Sequence, residues 1–171
     1  MRIIVLMGSP KPLGNTAHLV HDFKNGAESV GHDVRVLEIG TMNIKGCIGC
    51  DYCKKLGHTK CAIDDDMQGV YEVLEDADMI VFASPVYYFG LTGQLQSMIS
   101  RVYAIDKPHK ADKYALILTS YSPDVYDAII SQYNQIVNYS GGKSLGIITA
   151  YGPERMSEAK EKEAFEFGKS L

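Results

Sequence analysis

Four cysteines are the residues whose chemistry is easiest to name, and all of them lie in one short segment. Cys47, Cys50 and Cys53 follow the spacing C-x-x-C-x-x-C, and Cys61 comes after seven further residues. Compact cysteine runs of this kind hold iron–sulfur clusters, because several thiolates of one loop can ligate the irons. Four thiolates this close can hold a 4Fe–4S cluster, although Cys61 comes later than the fourth cysteine of the bacterial ferredoxin pattern.

The same spacing is compatible with three other uses of these thiols. A four-cysteine zinc site usually takes two C-x-x-C pairs that lie far apart, which fits one compact run less well. A C-x-x-C pair in a reducing compartment can act as a redox-active dithiol. The plainest alternative is four reduced thiols in a loop that only shapes a substrate pocket.

A second group of polar residues follows the apolar run at the N-terminus, at residues 8–16 (GSPKPLGNT). After this stretch the apolar spacing becomes helical. A buried strand, a small polar loop and a helix present backbone N–H groups and a helix N-terminus to an anion. The hydroxyls and the amide can bond phosphate oxygens, and the lysine adds charge. The predicted phosphate-binding residues are Ser9, Lys11, Gly14, Asn15 and Thr16.

This loop matches neither of the two best-known phosphate motifs. A P-loop needs G-x-x-x-x-G-K-[ST], but here the second glycine falls one residue late, at Gly14, and Asn15 stands in place of the lysine. The dinucleotide fingerprint G-x-G-x-x-G is absent from the loop. An ordinary turn between a strand and a helix is therefore the alternative interpretation.

A third group of residues, 84–90 (SPVYYFG), places three consecutive aromatic side chains in a loop. Exposing that much apolar area without a partner is unfavourable, and a planar ring stacked on the loop would explain it. The alternative is that these aromatics cover a helix or fill a subunit interface. The predicted ring-binding residues are Pro85, Val86, Tyr87, Tyr88, Phe89 and Gly90, with Ser120 in a further loop that could close the site.

Five apolar segments alternate with five helical patterns, and these elements must position the three groups. The predicted strands are residues 3–7, 34–39, 79–83, 114–119 and 144–150. The predicted helices begin after residue 16, at residue 67 and after residue 93, and cover 126–137 and 153–171. This alternation predicts an α/β fold, a three-layer, doubly wound parallel sheet with right-handed crossovers.

The sheet order determines which loops share a site. In the five-stranded order 2-1-3-4-5, ligands bind at the carboxyl ends of the first and third strands, where the strand order reverses. The loops at that point are 8–16 and 84–93. We therefore expect the anion-binding loop and the aromatic loop to grip one ligand.

The bulk properties indicate a globular chain of one domain, residues 1–171, with 46% hydrophobic and 22% charged residues. A net charge of −4 without a basic block disfavours nucleic acid as a partner. The apolar runs are too short to span a membrane, and no signal peptide is evident, so we expect a cytoplasmic protein. In that compartment the cysteines are not expected to form a disulfide framework.

The chain resembles a known group at the positions described above. GSPKPLGNT resembles the phosphate loop of the NADPH-dependent FMN reductases of the flavodoxin-like superfamily, and SPVYYFGLTGQLQSMISR resembles their flavin loop and the helix that follows it. The cysteine segment CIGCDYCKKLGHTKCAIDDDM resembles the iron–sulfur flavoproteins within that group. Together these motifs extend over nearly the whole chain in the expected order.

The resemblance implies FMN as cofactor, with its phosphate at Ser9, Lys11, Asn15 and Thr16 and its isoalloxazine at residues 85–90. It also implies NAD(P)H as the electron donor, a quinone, free flavin or other acceptor, and a homodimer or homotetramer. No side chain is expected to act as a catalytic acid or base, because the flavin performs the redox chemistry. The rival function is a flavodoxin-like electron carrier that docks on protein partners.

Overall fold

The five apolar segments form one parallel sheet in the computed structural model, which describes residues 1–59 and 61–171. The strand order is β2-β1-β3-β4-β5, so the predicted fold class is confirmed. Every neighbouring pair of strands runs parallel. The strands are β1 (Arg2–Met7), β2 (Asp33–Leu37), β3 (Met79–Pro85), β4 (Lys113–Ser120) and β5 (Lys143–Tyr151).

Helices cover both faces of this sheet. They are α1 (Asn15–Ser29), α2 (Tyr52–Lys55), α3 (Met67–Glu75), α4 (Gly93–Val102), α5 (Asp127–Ser140) and α6 (Glu158–Lys169). Three short 3-10 helices lie at Ile39–Thr41, Tyr103–Ile105 and Gly152–Met156. Helices α1 and α6 pack on one face, and α3, α4 and α5 on the other.

Each central strand is buried on both faces, which explains why it reads as a continuous apolar run. In β1, Ile3 and Val5 contribute to the core under α1 and α6, whereas Ile4 and Leu6 contribute to the opposite core. The core under α3, α4 and α5 also contains Cys53. The cysteine segment is therefore packed on the face that carries α4.

The last helix begins later than the predicted residue 153. Residues Gly152–Met156 form a 3-10 helix, and α6 starts at Glu158 after the extended residue Ser157, whose hydroxyl accepts the N–H of Lys160 at 3.3 Å. A helix over the predicted residues 153–171 would place Met156 on its inner face with the other apolar residues, but Met156 lies in the 3-10 helix and 53% of its surface is exposed. A serine N-cap interrupts the helical pattern at this point.

Two smaller differences concern the neighbourhood of the predicted site. The second strand ends at Leu37 rather than residue 39, and the chain turns there through the 3-10 helix Ile39–Thr41. The segment that carries the cysteines, in which no helix was predicted, contains the helical turn α2. Both differences arise from turns whose hydrogen bonds are local and leave no apolar period in the sequence.

Helix α1 is held against α6 by two glycines at their crossing. A Cβ atom on Gly26 would lie 2.0 Å from the carbonyl oxygen of Phe165, and one on Gly168 would lie 2.1 Å from that of Phe23. Real side chains cannot approach backbone so closely, so only glycine allows this contact. The close crossing fixes the position of α1, and the first turn of α1 begins at the end of the predicted phosphate loop.

Candidate functional site

The loops that follow β1, β3 and β4 converge on one cavity of about 370 Å³. Nine of the predicted cofactor residues line this cavity, and they come from three separate parts of the chain. They are Ser9, Lys11, Gly14, Asn15, Thr16, Pro85, Val86, Tyr87 and Ser120. The volume lies within the range of about 300–1,000 Å³ that is usual for small-molecule and cofactor sites.

The N-terminus of α1 opens into this cavity. The residue before the helix, Gly14, has extended backbone (φ −84°, ψ 171°), and no described side chain caps the helix or places an acidic group in its first turn. The first N–H groups of a helix have no partner within the helix. Together with the positive end of the helix dipole, they form a site suited to an anion.

Two of the predicted hydroxyls organise the cavity as well as line it. The Oγ of Ser9 accepts the N–H of Lys11 at 3.2 Å, which closes the loop on itself. The hydroxyls of Thr16 and Thr119 lie 2.7 Å apart, and both residues are buried. By contrast, Lys11 is exposed and Asn15 is half-buried, so their side chains are available to a ligand.

Hydrogen bonds tie the neighbouring loops to one another. The backbone N–H of Val86 donates to the carbonyl of Thr119 at 2.7 Å. The hydroxyl of Thr92, the N-cap of α4, donates to the carbonyl of Gly8 at 2.8 Å, and the Thr92 N–H donates to Ser84 Oγ at 3.1 Å. The loops after β1, β3 and β4 are therefore held at a common edge.

The aromatic loop forms a tight turn rather than a flat platform. The backbone N–H and carbonyl of Tyr87 pair with those of Gly90 at 3.0 and 3.1 Å. The two residues between them, Tyr88 and Phe89, have φ of 49° and 65°, a region unfavourable for bulky side chains. Tyr87 lines the cavity, whereas Tyr88 and Phe89 do not, and 97% of Tyr88 is exposed.

Ser120 reaches the cavity with its hydroxyl already engaged. Its Oγ donates to the carbonyl of Ser122 at 2.7 Å and lies 2.6 Å from the hydroxyl of Tyr126. This arrangement shapes the loop after β4. The side chain therefore positions the backbone of the site more than it offers a free donor.

Sequence reasoning missed Arg155, which lines the cavity from the loop after β5. Its Nε donates to the carbonyl of Gly152 at 2.5 Å, and its guanidinium lies over the ring of Tyr121, 5.8 Å from the centroid. Tyr121 also lines the cavity; it lies in the predicted closing loop that begins at Ser120, although it was not named as a site residue. The position of Arg155 just after the fifth strand is the feature of the sequence that could have identified it. The prediction of a helix from residue 153 concealed this feature.

Gly40 is a second residue that the sequence did not single out for the site. A Cβ atom there would lie 2.2 Å from the carbonyl oxygen of Ser9 and 2.7 Å from the backbone nitrogen of Pro10. Because that neighbour is backbone, a larger residue would displace the phosphate loop itself. The turn after β2 therefore supports the loop after β1.

The four cysteines line a second, smaller cavity of about 20 Å³. Cys47 and Cys50 are exposed, Cys53 is buried and Cys61 is half-buried. The fold therefore brings four cysteines, whose soft sulfur donors are the kind that iron–sulfur clusters use, to the lining of one cavity. Among the described residues, no three His, Cys, Asp or Glu side chains are arranged to hold a metal ion in this conformation.

The backbone of the cysteine segment turns sharply. Between the second and fourth cysteines, Asp51, Gly57 and His58 all have positive φ, and Gly49 precedes them with φ of 67°. For Asp51 and His58, which are not glycine, such conformations are uncommon and cluster at ligand sites, where surrounding contacts enforce them. Their presence around the thiols is consistent with a loop shaped to wrap a ligand.

A buried ion pair lies beside the cysteine cavity. Arg101 and Asp65 are each 1% exposed at their side chains, and Nη1 of Arg101 lies 2.9 Å from Oδ2 of Asp65. Burial by itself raises the pKa of the Asp65 carboxyl. Hydrogen bonds from Arg101 and from the N–H groups of Lys45 and Met67 outweigh burial, so the pKa lies below its usual value.

Tyr71 completes this buried group. Its hydroxyl donates to the carbonyl of Arg101 at 3.0 Å, and burial raises the pKa of Tyr71 to about 12. The phenol is therefore protonated at neutral pH and remains a hydrogen-bond donor.

A larger cleft of about 690 Å³ lies between α4 and α5 and contains none of the predicted site residues. Its walls are mainly apolar side chains such as Ile80, Phe82 and Ile136. The convergent polar groups that would orient a phosphate are found in the cavity of about 370 Å³.

Among the described residues, no helix has both the length and the apolar character needed to cross a membrane.

Comparison with known proteins identifies relatives. An iron–sulfur flavoprotein of Methanocaldococcus jannaschii is 36% identical over 101 residues, which are 59% of this chain and 51% of that protein. This chain therefore spans about half the length of that relative. An iron–sulfur flavoprotein of Archaeoglobus fulgidus is 26% identical over 100% of this chain and 79% of its own.

A solved structure shares the fold at low sequence identity. The FMN-dependent NADH-azoreductase of Bacillus anthracis in complex with FMN has a TM-score of 0.69 and 12% identity, over 99% of this chain and 98% of that chain. The family described as NADPH-dependent FMN reductase matches residues 1–154, which include loops 8–16 and 84–93 and all four cysteines. On this match the chain belongs to the NADPH-dependent FMN reductase family.

Proposed function

We propose that residues 1–171 form one FMN-binding domain and that the protein is an FMN-dependent oxidoreductase. The observation that carries this proposal is the cavity of about 370 Å³, in which loops 8–16 and 84–93 meet at the carboxyl ends of β1 and β3. This is the position where doubly wound folds bind nucleotides. Family membership supports the same cofactor.

The residues present fit the phosphate of FMN. The uncapped start of α1 offers backbone N–H groups, and Lys11 and Arg155 place two positive charges on the lining of the same cavity. Asn15 adds an amide at the start of the helix. A phosphate monoester carries up to two negative charges, so an uncapped helix with two nearby cations suits it.

The other part of the cavity fits a planar ring. Pro85, Val86 and Tyr87 supply apolar and aromatic surface, and half of the Tyr87 surface is exposed. Bound FMN supplies the transfer of hydride or single electrons. The residues of the chain bind it, orient it and leave one face of the ring open to NAD(P)H and then to a quinone, free flavin or similar acceptor.

We further propose that the four cysteines hold a 4Fe–4S cluster. Their common cavity and the iron–sulfur flavoprotein relatives support this second cofactor. The cysteine cavity and the FMN cavity share no lining residue. Helix α4 follows Thr92, whose hydroxyl bonds the carbonyl of Gly8, and carries Ser100 and Arg101 of the cysteine cavity near its other end; its ten residues span about 15 Å at 1.5 Å per residue.

Purification without oxygen, followed by a visible spectrum and assays of flavin, iron and sulfide, tests both cofactors. We expect one FMN per chain and four irons with four sulfides. Steady-state oxidation of NADPH and NADH with a quinone or free FMN tests the activity. A protein that binds FMN but does not turn over would be an electron carrier, and one without affinity for FMN would contradict the proposal.

We also propose that the protein is a homodimer or homotetramer. The exposed aromatic pair Tyr88 and Phe89 supports this, because aromatic side chains are enriched at interfaces. Light scattering coupled to size-exclusion chromatography of the FMN-loaded protein measures the mass. A monomer at micromolar concentration would contradict this part of the proposal.

A further inference from the structure

Arg101, near the C-terminus of α4, is a fully buried arginine beside the cysteine cavity. It is 1% exposed, and it lines the same cavity as the four cysteines. Lysine, arginine and acidic residues are almost never fully buried unless they are paired. The partners of Arg101 therefore indicate why the fold places a cation at this point.

The guanidinium joins the two ends of the cysteine segment. Its Nη1 donates to the carbonyl of Lys45 at 3.0 Å, before the first cysteine, and its Nη2 donates to the carbonyl of Ile63 at 3.2 Å, after the last. Both nitrogens also bond the carboxylate of Asp65, at 2.9 and 3.3 Å. Arg101 thus closes the chain from residue 45 to residue 65 into a loop.

Other hydrogen bonds strengthen the same closure. The carboxylate of Asp65 accepts the backbone N–H of Lys45 at 3.0 Å. The N–H of Cys47 donates to the hydroxyl of Ser100, the neighbour of Arg101 on α4, at 3.1 Å. The first cysteine of the run is therefore positioned directly from the helix that carries Arg101.

One donor of Arg101 is left over. Its Nε is buried and has no hydrogen-bond partner among the described residues. A buried donor without an acceptor is unfavourable, so native structures rarely retain one without a reason. Since Arg101 lines the cavity of the four thiols, a sulfur atom bound there is an acceptor of the right kind.

We propose that Arg101 is the positioning residue of the cysteine cavity, and that its Nε–H donates a hydrogen bond to a sulfur atom of the cluster held there. This inference rests on the proposed iron–sulfur cluster. Hydrogen bonds to the sulfurs and nearby charge set the reduction potential of such clusters. A donor and a positive charge stabilise the reduced cluster, because it is more negative than the oxidised one.

The test uses the full chain loaded with FMN and cluster under anaerobic conditions. Arg101→Lys keeps the positive charge but loses the planar fork and Nε–H, and Arg101→Met removes both charge and donors. Arg35→Met, at an exposed arginine on β2, is the matched control. The readouts are iron and sulfide per chain, the rate of iron release to a chelator, and the midpoint potential of the cluster.

We expect Arg101→Met to release iron at least tenfold faster than the wild type, and Arg101→Lys to release it at an intermediate rate. At a fixed ambient potential, the ratio of reduced to oxidised cluster should fall about tenfold in Arg101→Lys, which is 59 mV for one electron. Arg35→Met should match the wild type. Unchanged potential in the loaded Arg101 variants would leave only a structural role and overturn the proposal.

A measurement on the wild type covers the case in which neither Arg101 variant folds. In protein labelled with ¹⁵N-arginine, electron–nuclear double resonance of the reduced cluster should show coupling to an arginine nitrogen, and its absence would overturn the proposal. FMN titration separates this outcome from failure of the proposed function. Normal FMN binding with no iron in the wild type would remove the cluster and the role of Arg101 together, and leave the flavin site intact.

Discussion

The hydroxyl groups of Thr16 and Thr119 lie 2.7 Å apart in the interior of the protein, although the residues are 103 positions apart in sequence. Thr16 belongs to the first turn of α1 and Thr119 to the end of β4. Both line the cavity proposed to bind FMN. This contact therefore sets the distance between the phosphate loop and the loops on the ring side.

Replacing Thr119 with Val should loosen this junction. The Thr16 hydroxyl would lose its partner in a buried place, which costs about 1–3 kcal/mol of stability. We expect urea denaturation to show that loss, with weaker FMN binding measured by fluorescence quenching. The double variant Thr16→Val/Thr119→Val should lose less than the sum of the single variants, and strict additivity would show that the hydroxyls do not interact.

Replacing Arg155 with Ala should weaken the binding of FMN without changing that of riboflavin. If the guanidinium contacts the phosphate, its removal should raise the dissociation constant for FMN about tenfold, equivalent to about 1.4 kcal/mol. Isothermal titration with both flavins measures the ratio. The control Arg35→Ala removes an exposed arginine outside the cavity, and equal weakening for both flavins would place Arg155 at the ring instead.

Replacing Gly40 with Ala should displace the backbone of the phosphate loop, because Gly40 packs against Ser9. The new Cβ would lie 2.2 Å from the carbonyl oxygen of Ser9, so backbone must move. We expect lower thermal stability and weaker FMN binding in the same variant. Gly69→Ala is the matched control, because its Cβ meets nothing within 4 Å and alanine favours the interior of α3. Normal FMN affinity in Gly40→Ala would contradict the predicted link.

Replacing Tyr88 with Asn and Phe89 with Gly should stabilise the turn between Tyr87 and Gly90. Both residues have positive φ, which Asn and Gly tolerate better than aromatic residues. Relief of about 1 kcal/mol would raise the melting temperature by about 2–4 °C in a chain of this size. FMN affinity should change little, whereas Tyr87→Ala should weaken it. Loss of FMN binding in the double variant would show that Tyr88 or Phe89 contacts the ring.

Because of the ion pair of Asp65, the free energy of unfolding should depend on pH in the acidic range. Because the pKa of Asp65 is lower in the folded protein than its unfolded value of about 3.9, its ionised form stabilises the fold above that pH. The contribution is lost as pH falls below about 4 towards the folded pKa. The difference in unfolding free energy between wild type and Asp65→Asn should therefore shrink over that range. A constant difference down to pH 2 would contradict it.

Much of the fold was predictable because the central strands are buried on both faces. Residues 3–7 and 79–83 read as apolar runs, and their alternation with helical patterns predicted the order that the structure confirms. The ends of helices and strands were less predictable where a local turn interrupts the periodic pattern of apolar residues. Ser157 caps α6 and separates it from the 3-10 helix Gly152–Met156, which placed Met156 and Arg155 differently from the predicted single helix.

Most residues of both candidate sites could be predicted from the sequence, because a phosphate loop and a cysteine run are recognised by residue types that lie close together in the chain. The structure brings nine of the predicted flavin residues to one cavity and the four cysteines to another. Their roles as ligands remain predictions. Gly40, Thr119 and Arg155 carry no local motif, so their proximity to the phosphate loop could not be inferred from spacing.

The sequence by itself determined the family, the parallel sheet and the segments that carry the chemistry, because burial on two faces and motif spacing are local properties of a chain. Only the tertiary structure decided which groups share an environment. It placed Thr16 against Thr119, Gly40 behind Ser9 and Arg101 between the two ends of the cysteine segment. These contacts join distant parts of the chain, and packing on a common sheet, rather than any sequence period, brings them together.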